Sequence, residues 1–146
     1  DLVTRIGVAV PEARIDGVLV TPMIDGGVEC LLGVKNDPVF GPIVVFGLGG
    51  IMTEVLRDVV FRRAPFGLET AHDMLREIKA AAMLDGVRGA PAADKDALAQ
   101  ALANLSIFAA AHADQLDSID INPVRVLPDG AVALDALIVP QVDSKD

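Results

Sequence analysis

The period of the apolar pattern changes twice along this chain, and the order of the changes constrains the fold more than any single residue does. Residues 6–10, 18–20, 29–34 and 43–46 are short, apolar and rich in β-branched types, as strands are. Glycine and proline punctuate them at Asp25-Gly26-Gly27, Asp37-Pro38, Gly41-Pro42 and Gly47-Leu48-Gly49-Gly50. A further strand is predicted around Val59 and Phe61, stopped by Pro65. The period then becomes helical. Ala71, Met74, Leu75, Ile78 and Ala82 fall on one helix face, with Thr70 as the expected N-cap and Gly86 and Gly89 as the stop. Leu98, Ala101, Leu102, Leu105 and Phe108 repeat the stripe in a helix predicted from Asp94 to about Ala113. Strand patterning returns at 118–127 and 131–139 around Pro128-Asp129-Gly130, a hairpin signal. Pro140 ends it, and the polar tail 141–146 is expected to be loose. Strands and helices that are segregated along the chain predict an α+β fold with two main helices.

Composition narrows the function classes. The 146 residues suit one domain, and 52% of them are hydrophobic. With no Trp or Tyr and only five Phe, the core must be aliphatic. A net charge of −9, with no basic cluster beyond Arg62-Arg63, argues against nucleic acid as a partner. No apolar run reaches the ~18 residues that cross a membrane, and no secretion signal is expected at the start. Cys30 is the only cysteine, so no internal disulfide can form; its apolar neighbours predict a buried, inert thiol and a reducing, cytoplasmic setting.

The strongest chemical constellation is Asp120-Ile121-Asn122-Pro123 followed by Asp135. Asp120 and Asn122 are two apart, so in a strand they share a face. A hairpin brings Asp135 alongside if the register agrees. Oxygen ligands from two strands suit Mg²⁺, which takes its other ligands from water and substrate phosphates. The same residues also describe a solvated strand face with an Asx turn before Pro123. Glu29 is an acceptor for ribose hydroxyls or an edge-strand surface residue. Gly49 and Gly50, in Gly47-Leu48-Gly49-Gly50, can bring backbone N–H groups to a phosphate, although the motif is neither a P-loop nor a dinucleotide fingerprint. Glu54 follows that loop. Arg57, Arg62, Arg63 and Arg88 are cation candidates, and His72 and His112 read as surface or satisfied histidines.

Taken in order, these pieces resemble the ATP-grasp domain of NDP-forming acyl-CoA synthetases. The resemblance runs through Val18-Leu19-Val20 with Met23, Gly27-Val28-Glu29, Asp37-Pro38, Phe40-Gly41-Pro42 and Phe46-Gly47-Leu48-Gly49-Gly50. It continues through Glu54-Val55-Leu56, Asp58, Ala64-Pro65, Gly86-Val87-Arg88-Gly89, Asp120-Ile121-Asn122-Pro123 and Asp135-Ala136. ADP-forming acetyl-CoA synthetases carry this domain, and the succinyl-CoA synthetase β subunit is a more distant relative. The resemblance implies a mostly antiparallel carboxy-terminal ATP-grasp subdomain, with Mg²⁺ and ATP or ADP as cofactors. It implies Asn122 and Asp135 as metal ligands and Glu29 as the ribose acceptor. Val20, Thr21 and Met23 would form an adenine hinge, Gly49 and Gly50 a phosphate-side element, and Asp120 would face an incoming phosphohistidine.

The hinge is preceded by too few residues for the family's amino-terminal subdomain and its phosphate-contacting lysine, and neither His72 nor His112 matches the phosphohistidine motif. The remainder of the ATP-grasp domain and the CoA-binding ligase domain are therefore expected as partners, in the same chain or in a partner subunit. The isolated chain is expected to bind nucleotide weakly and to turn over negligibly. Two alternatives remain at this stage: a regulatory module of a protein acetyltransferase, and a non-catalytic interaction domain.

Overall fold

The computed structural model describes residues 1–50, 58–87 and 89–141. Its centre is a six-stranded sheet: β1 (Val28–Asp37), β2 (Gly41–Leu48), β3 (Val59–Arg63), β4 (Leu116–Leu127), β5 (Gly130–Ala133) and β6 (Ala136–Pro140). The order is β3-β2-β1-β4-β5, with β6 also on β4, and every pairing is antiparallel. The long strand β4 lies in the middle, against β1 on one side and both β5 and β6 on the other.

Helices α2 (Leu68–Glu77) and α3 (Lys95–Ala111), with a 3₁₀ turn at Ala81–Asp85 between them, cover one face of this sheet. The core is what these layers bury together. Cys30, Leu32, Val34, Val44, Phe46, Val124 and Val126 come from the sheet; Met74, Leu75, Leu98, Leu102 and Ala109 come from the helices. The small residues Ala99, Ala103 and Ala109 let α3 lie close to the strands, which is how a core without Trp or Tyr closes. Asp94 caps α3 by accepting the Ala97 N–H at 2.9 Å, at the predicted start. Inside α3, the buried Ser106 hydroxyl accepts the Phe66 N–H at 3.1 Å and pins the loop after β3.

Four expectations need correction. Residues 6–10 are not a strand: Asp1 accepts the Val3 N–H at 3.0 Å and caps a helix, α1 (Leu2–Ala9), which makes three α-helices among the described residues. With no neighbouring strand to satisfy the backbone, the local cap decides the conformation there. Residues 18–20 form no strand either; Val18, Leu19 and Val20 are exposed and unpaired in any ladder. The helix expected to reach Ala82 stops at Glu77, because the buried Asp58 carboxylate accepts the N–H groups of Lys79 and Ala80 at 2.9 and 2.8 Å. That competing acceptor turns the chain into the 3₁₀ segment, and the apolar stripe resumes at Leu84. Thr70 lies inside α2, whose N-cap position is Gly67. Among the described residues no helix is long and apolar enough to cross a membrane.

Candidate functional site

Strand β4 sends its apolar residues down to the helices and its polar ones up. Ile119, Val124 and Val126 are buried, Asp120 and Asn122 are exposed, and Arg125 is half-buried. Strict alternation would put Asn122 and Val124 on the same face, so the strand must break phase. It does so against β1: between the pairs Leu32–Ile121 and Cys30–Val124, one residue, Leu31, stands opposite two, Asn122 and Pro123. This is a β-bulge, the device that re-aims side chains next to sites. The Asn122–Pro123 peptide within it is cis.

On the other flank, β4 pairs Ile121 with Ala136 and Val124 with Ala133, which sets Asn122 opposite Asp135. The Asn122 N–H donates to the Asp135 carbonyl at 3.2 Å, and the Leu134 N–H to the Pro123 carbonyl at 2.9 Å. Directly opposed residues of an antiparallel pair share a face. Asp135 Oδ1 also accepts the Ala136 N–H at 2.9 Å, which steadies its carboxylate. Asp120 stands opposite Gly33 on one side and Leu137 on the other. The fold therefore brings Asp120, Asn122 and Asp135 to one exposed patch, and among the described residues the side chains of Asp120 and Asn122 have no hydrogen-bond partner.

Among the described residues, no three His, Cys, Asp or Glu side chains converge as a closed metal cage. An amide oxygen and a carboxylate on an open surface instead match Mg²⁺, which keeps its waters and takes one or two protein ligands beside substrate phosphates.

A second cluster lies about three residues along β4, roughly 10 Å at the rise of a strand. Glu29 faces Arg125 across the ladder, and Arg125 Nη2 donates to Glu29 Oε1 at 2.7 Å. Arg125 Nη1 donates to the Gly26 carbonyl at 3.0 Å. The glycine loop closes on the same residue: the Gly49 N–H donates to the Glu29 carbonyl at 2.6 Å, and a Cβ on Gly49 would sit 3.0 Å from Glu29 Cβ. Gly27, at φ 72°, could carry a Cβ only 2.5 Å from the Val126 carbonyl oxygen. Two glycines are thus dictated by the close approach of backbone around Glu29. These residues line a cleft of about 680 Å³ with Leu48, Met83 and Pro91.

The other sequence candidates stand apart. Val20 and Met23 are each 87% exposed and Thr21 is exposed; none is among the cleft-lining residues. Gly50 is exposed beside Glu29, whose Oε2 lies 3.6 Å from where a Gly50 Cβ would be. Arg62 is paired with Glu77 and Arg63 is exposed. His72 lies 3.4 Å from Asp96 across α2 and α3, and His112 closes α3 with its ring 4.5 Å from that of Phe108. Glu54, Arg57 and Arg88 lie outside the described residues. Sequence reasoning missed Arg125. An arginine between two buried valines must leave the core face, but its partner Glu29 is 96 residues away and emerges only from the β1–β4 register.

Comparison with known proteins places the chain in a family. Residues 1–139 match the ATP-grasp domain model. The chain is 44% identical over 139 residues to an acetate–CoA ligase (ADP-forming) I of Archaeoglobus fulgidus, covering 95% of this chain and 20% of that protein. It is 43% identical to the β subunit of the Pyrococcus furiosus acetate–CoA ligase (ADP-forming) II, covering 88% of this chain and 56% of that subunit. Among solved structures, a dinucleotide-forming acetyl-coenzyme A synthetase 1 of Korarchaeum cryptofilum superposes with a TM-score of 0.86 at 37% identity, covering 96% of this chain and 62% of that one. That structure holds coenzyme A, acetyl-coenzyme A and a phosphorylated phosphohistidine segment. Another structure of the same synthetase, with coenzyme A and Mg-AMPPCP, superposes with a TM-score of 0.76 at 38% identity, covering 81% of this chain and 55% of that one. The chain thus spans about a fifth of the ligase and about half of the β subunit that it matches. With a single domain model matching nearly its whole length, the chain belongs to the ATP-grasp domain family.

Proposed function

We propose that this chain is the nucleotide- and Mg²⁺-binding part of an NDP-forming acyl-CoA synthetase. The reaction converts an acid, CoA and ATP to acyl-CoA, ADP and phosphate by way of a phosphohistidine. The observation that carries the reading is the opposition of Asn122 and Asp135 across β4 and the β5–β6 break, on the face left open by the helices. The named relatives are ligases, and a homologue's structure holds Mg-AMPPCP, which supports nucleotide and metal binding here and favours the synthetase over an acetyltransferase fusion.

In this reading Asn122 and Asp135 hold the ion, and Glu29, about 10 Å along the sheet, accepts the sugar hydroxyls. That spacing is of the order of the span from a nucleotide's sugar to its terminal phosphates. When bound, Mg²⁺ supplies charge neutralisation and a template for the phosphates. Asp120, exposed two residues from Asn122, faces the incoming phosphohistidine, where a carboxylate orients the imidazole that receives or gives up the phosphoryl group. Val20, Thr21 and Met23, already free of the core, supply the adenine hinge. The Gly49–Gly50 backbone closes the sugar end beside Glu29. The remainder of the ATP-grasp domain and the CoA-binding ligase domain are the partners that complete the site, and the buried thiol of Cys30 suits a cytoplasmic protein.

The test is calorimetric titration of Mg-ADP into the protein as its gene encodes it, with Asn122→Ala and Asp135→Ala as variants. Loss of a metal ligand is expected to weaken binding at least ~10-fold in each. Unchanged affinity in both variants overturns the assignment.

A further inference from the structure

Arg125 carries the next step. Its side chain is 22% exposed and lies from β4 across the start of β1, with both terminal nitrogens in use: Nη1 on the Gly26 carbonyl and Nη2 on Glu29 Oε1. Its Nε is buried with no partner among the described residues. Each terminal nitrogen spends one of its two N–H donors on the protein, which fixes the plane and direction of the guanidinium. Held in this way, it holds a carboxylate in turn.

We propose that Arg125 is the positioning residue for Glu29, and that it commits one carboxylate oxygen so that the other alone meets the nucleotide's sugar. This rests on the nucleotide-binding reading above. Oε1 is occupied by Arg125, whereas Oε2 is on the Gly50 side, where a Cβ would come within 3.6 Å of it. A glutamate otherwise has three free torsions at the start of a strand. Fixing it beforehand removes the ordering cost from the binding event. The same contact sets a positive charge against Glu29 in a chain of net charge −9, which lessens repulsion of a polyphosphate. The Gly49 N–H on the Glu29 carbonyl fixes the backbone while Arg125 fixes the side chain, so the sugar end is held from both sides.

The experiment measures KM and kcat for Mg-ATP and for its 2′-deoxy and 3′-deoxy analogues in the protein as its gene encodes it. The variants are Arg125→Met, Arg125→Lys, Glu29→Gln and the Arg125→Met/Glu29→Gln pair. Arg125→Met is expected to raise KM for ATP about tenfold with kcat within about twofold, and to narrow the preference over the deoxy analogues. Arg125→Lys, which keeps one charged contact, recovers part of the loss. In the Glu29→Gln background, Arg125→Met adds less than about twofold, because the arginine acts through the carboxylate.

A fall in kcat at constant KM, or losses from the two residues that multiply independently, overturns the proposal. So does a lowered melting temperature with nucleotide kinetics untouched. Should Arg125→Met fail to fold, Arg125→Lys carries the test, and an unchanged KM there is the overturning result. A wild-type protein that neither binds nor uses Mg-ATP brings down the underlying reading and this one with it. A wild type that does, beside an Arg125→Met indistinguishable from it, brings down this one alone.

Discussion

The two faces of the sheet are built from alternate residues of the same strands, yet they follow different constraints. On β1, Cys30, Leu32 and Val34 point at the helices and are at most 3% exposed. Between them stand Glu29, Leu31, Gly33 and Lys35, which look the other way. The covered face admits one register, because a slip of one residue would turn the whole apolar row to solvent. The open face inherits that register and is free to carry chemistry. The places where this logic is suspended are informative. The bulge at Asn122 and Pro123 lets Val124 return to the core while Asn122 stays in the open, so packing and site are served by the same two residues.

Replacing an aromatic on each face sharpens the contrast most. Phe46 is fully buried on β2, while Phe61 on β3 is 58% exposed and opposite Val45. Phe46→Ala is expected to lower unfolding free energy by about 3–5 kcal/mol in urea titrations, and Phe61→Ala by less than ~1 kcal/mol. Similar losses in both would mean that the open face is packed in solution. Next in size is Asp58, 6% exposed, whose two oxygens cap the backbone of Lys79 and Ala80. Asp58→Ala leaves both N–H groups without that acceptor and is expected to cost about 2–3 kcal/mol. Hydrogen exchange should locate the loss: faster exchange at Lys79 and Ala80 with β4 and β6 unaffected. Uniform acceleration across the sheet would contradict a local cap.

How legible this was follows the same division. The helical stripe through Leu98, Leu102 and Leu105, its Asp94 cap and the hairpin around Gly130 could be read because periodicity and capping are local properties, whereas Phe108, expected on the same face, is 42% exposed beside His112 at the helix end. The opposition of Asn122 and Asp135 was legible too, since a short hairpin makes register nearly local. Residues 6–10 and 18–20 misled because β-branched composition signals a strand only where a neighbour exists to pair with, and pairing is not written in the segment itself. The break after Glu77 depended on Asp58, some twenty residues upstream and distant from any turn signal. Arg125 was invisible for the same reason on a larger scale, its role set by Glu29 through a ladder between the two ends of the chain.

Titration offers the finest comparison, because Cys30 and Asp117 shift away from their ordinary values for unlike reasons. Burial against the helix layer pushes the Cys30 thiol from 9.0 up to about 12, since an apolar core disfavours the thiolate. Between those values the folded state holds a proton that the unfolded state has released, so stability falls as pH rises above about 9. The slope is roughly 1.4 kcal/mol per pH unit; it should be absent from Cys30→Ala and remain in the difference between wild type and that variant. Asp117 moves the opposite way: hydrogen bonds from Lys35 and Ser118 hold its carboxyl below the usual range. Its contribution is present above the unfolded pKa and lost as pH falls through the lower folded one. Because this pair is exposed to solvent, salt screens it and its effect is the smallest of those predicted. Asp117→Asn should therefore flatten the acid side of the stability curve slightly at low salt and not measurably at high salt. An acid effect that survives high salt would show that the pair is sheltered, and that the open face has cover at this end.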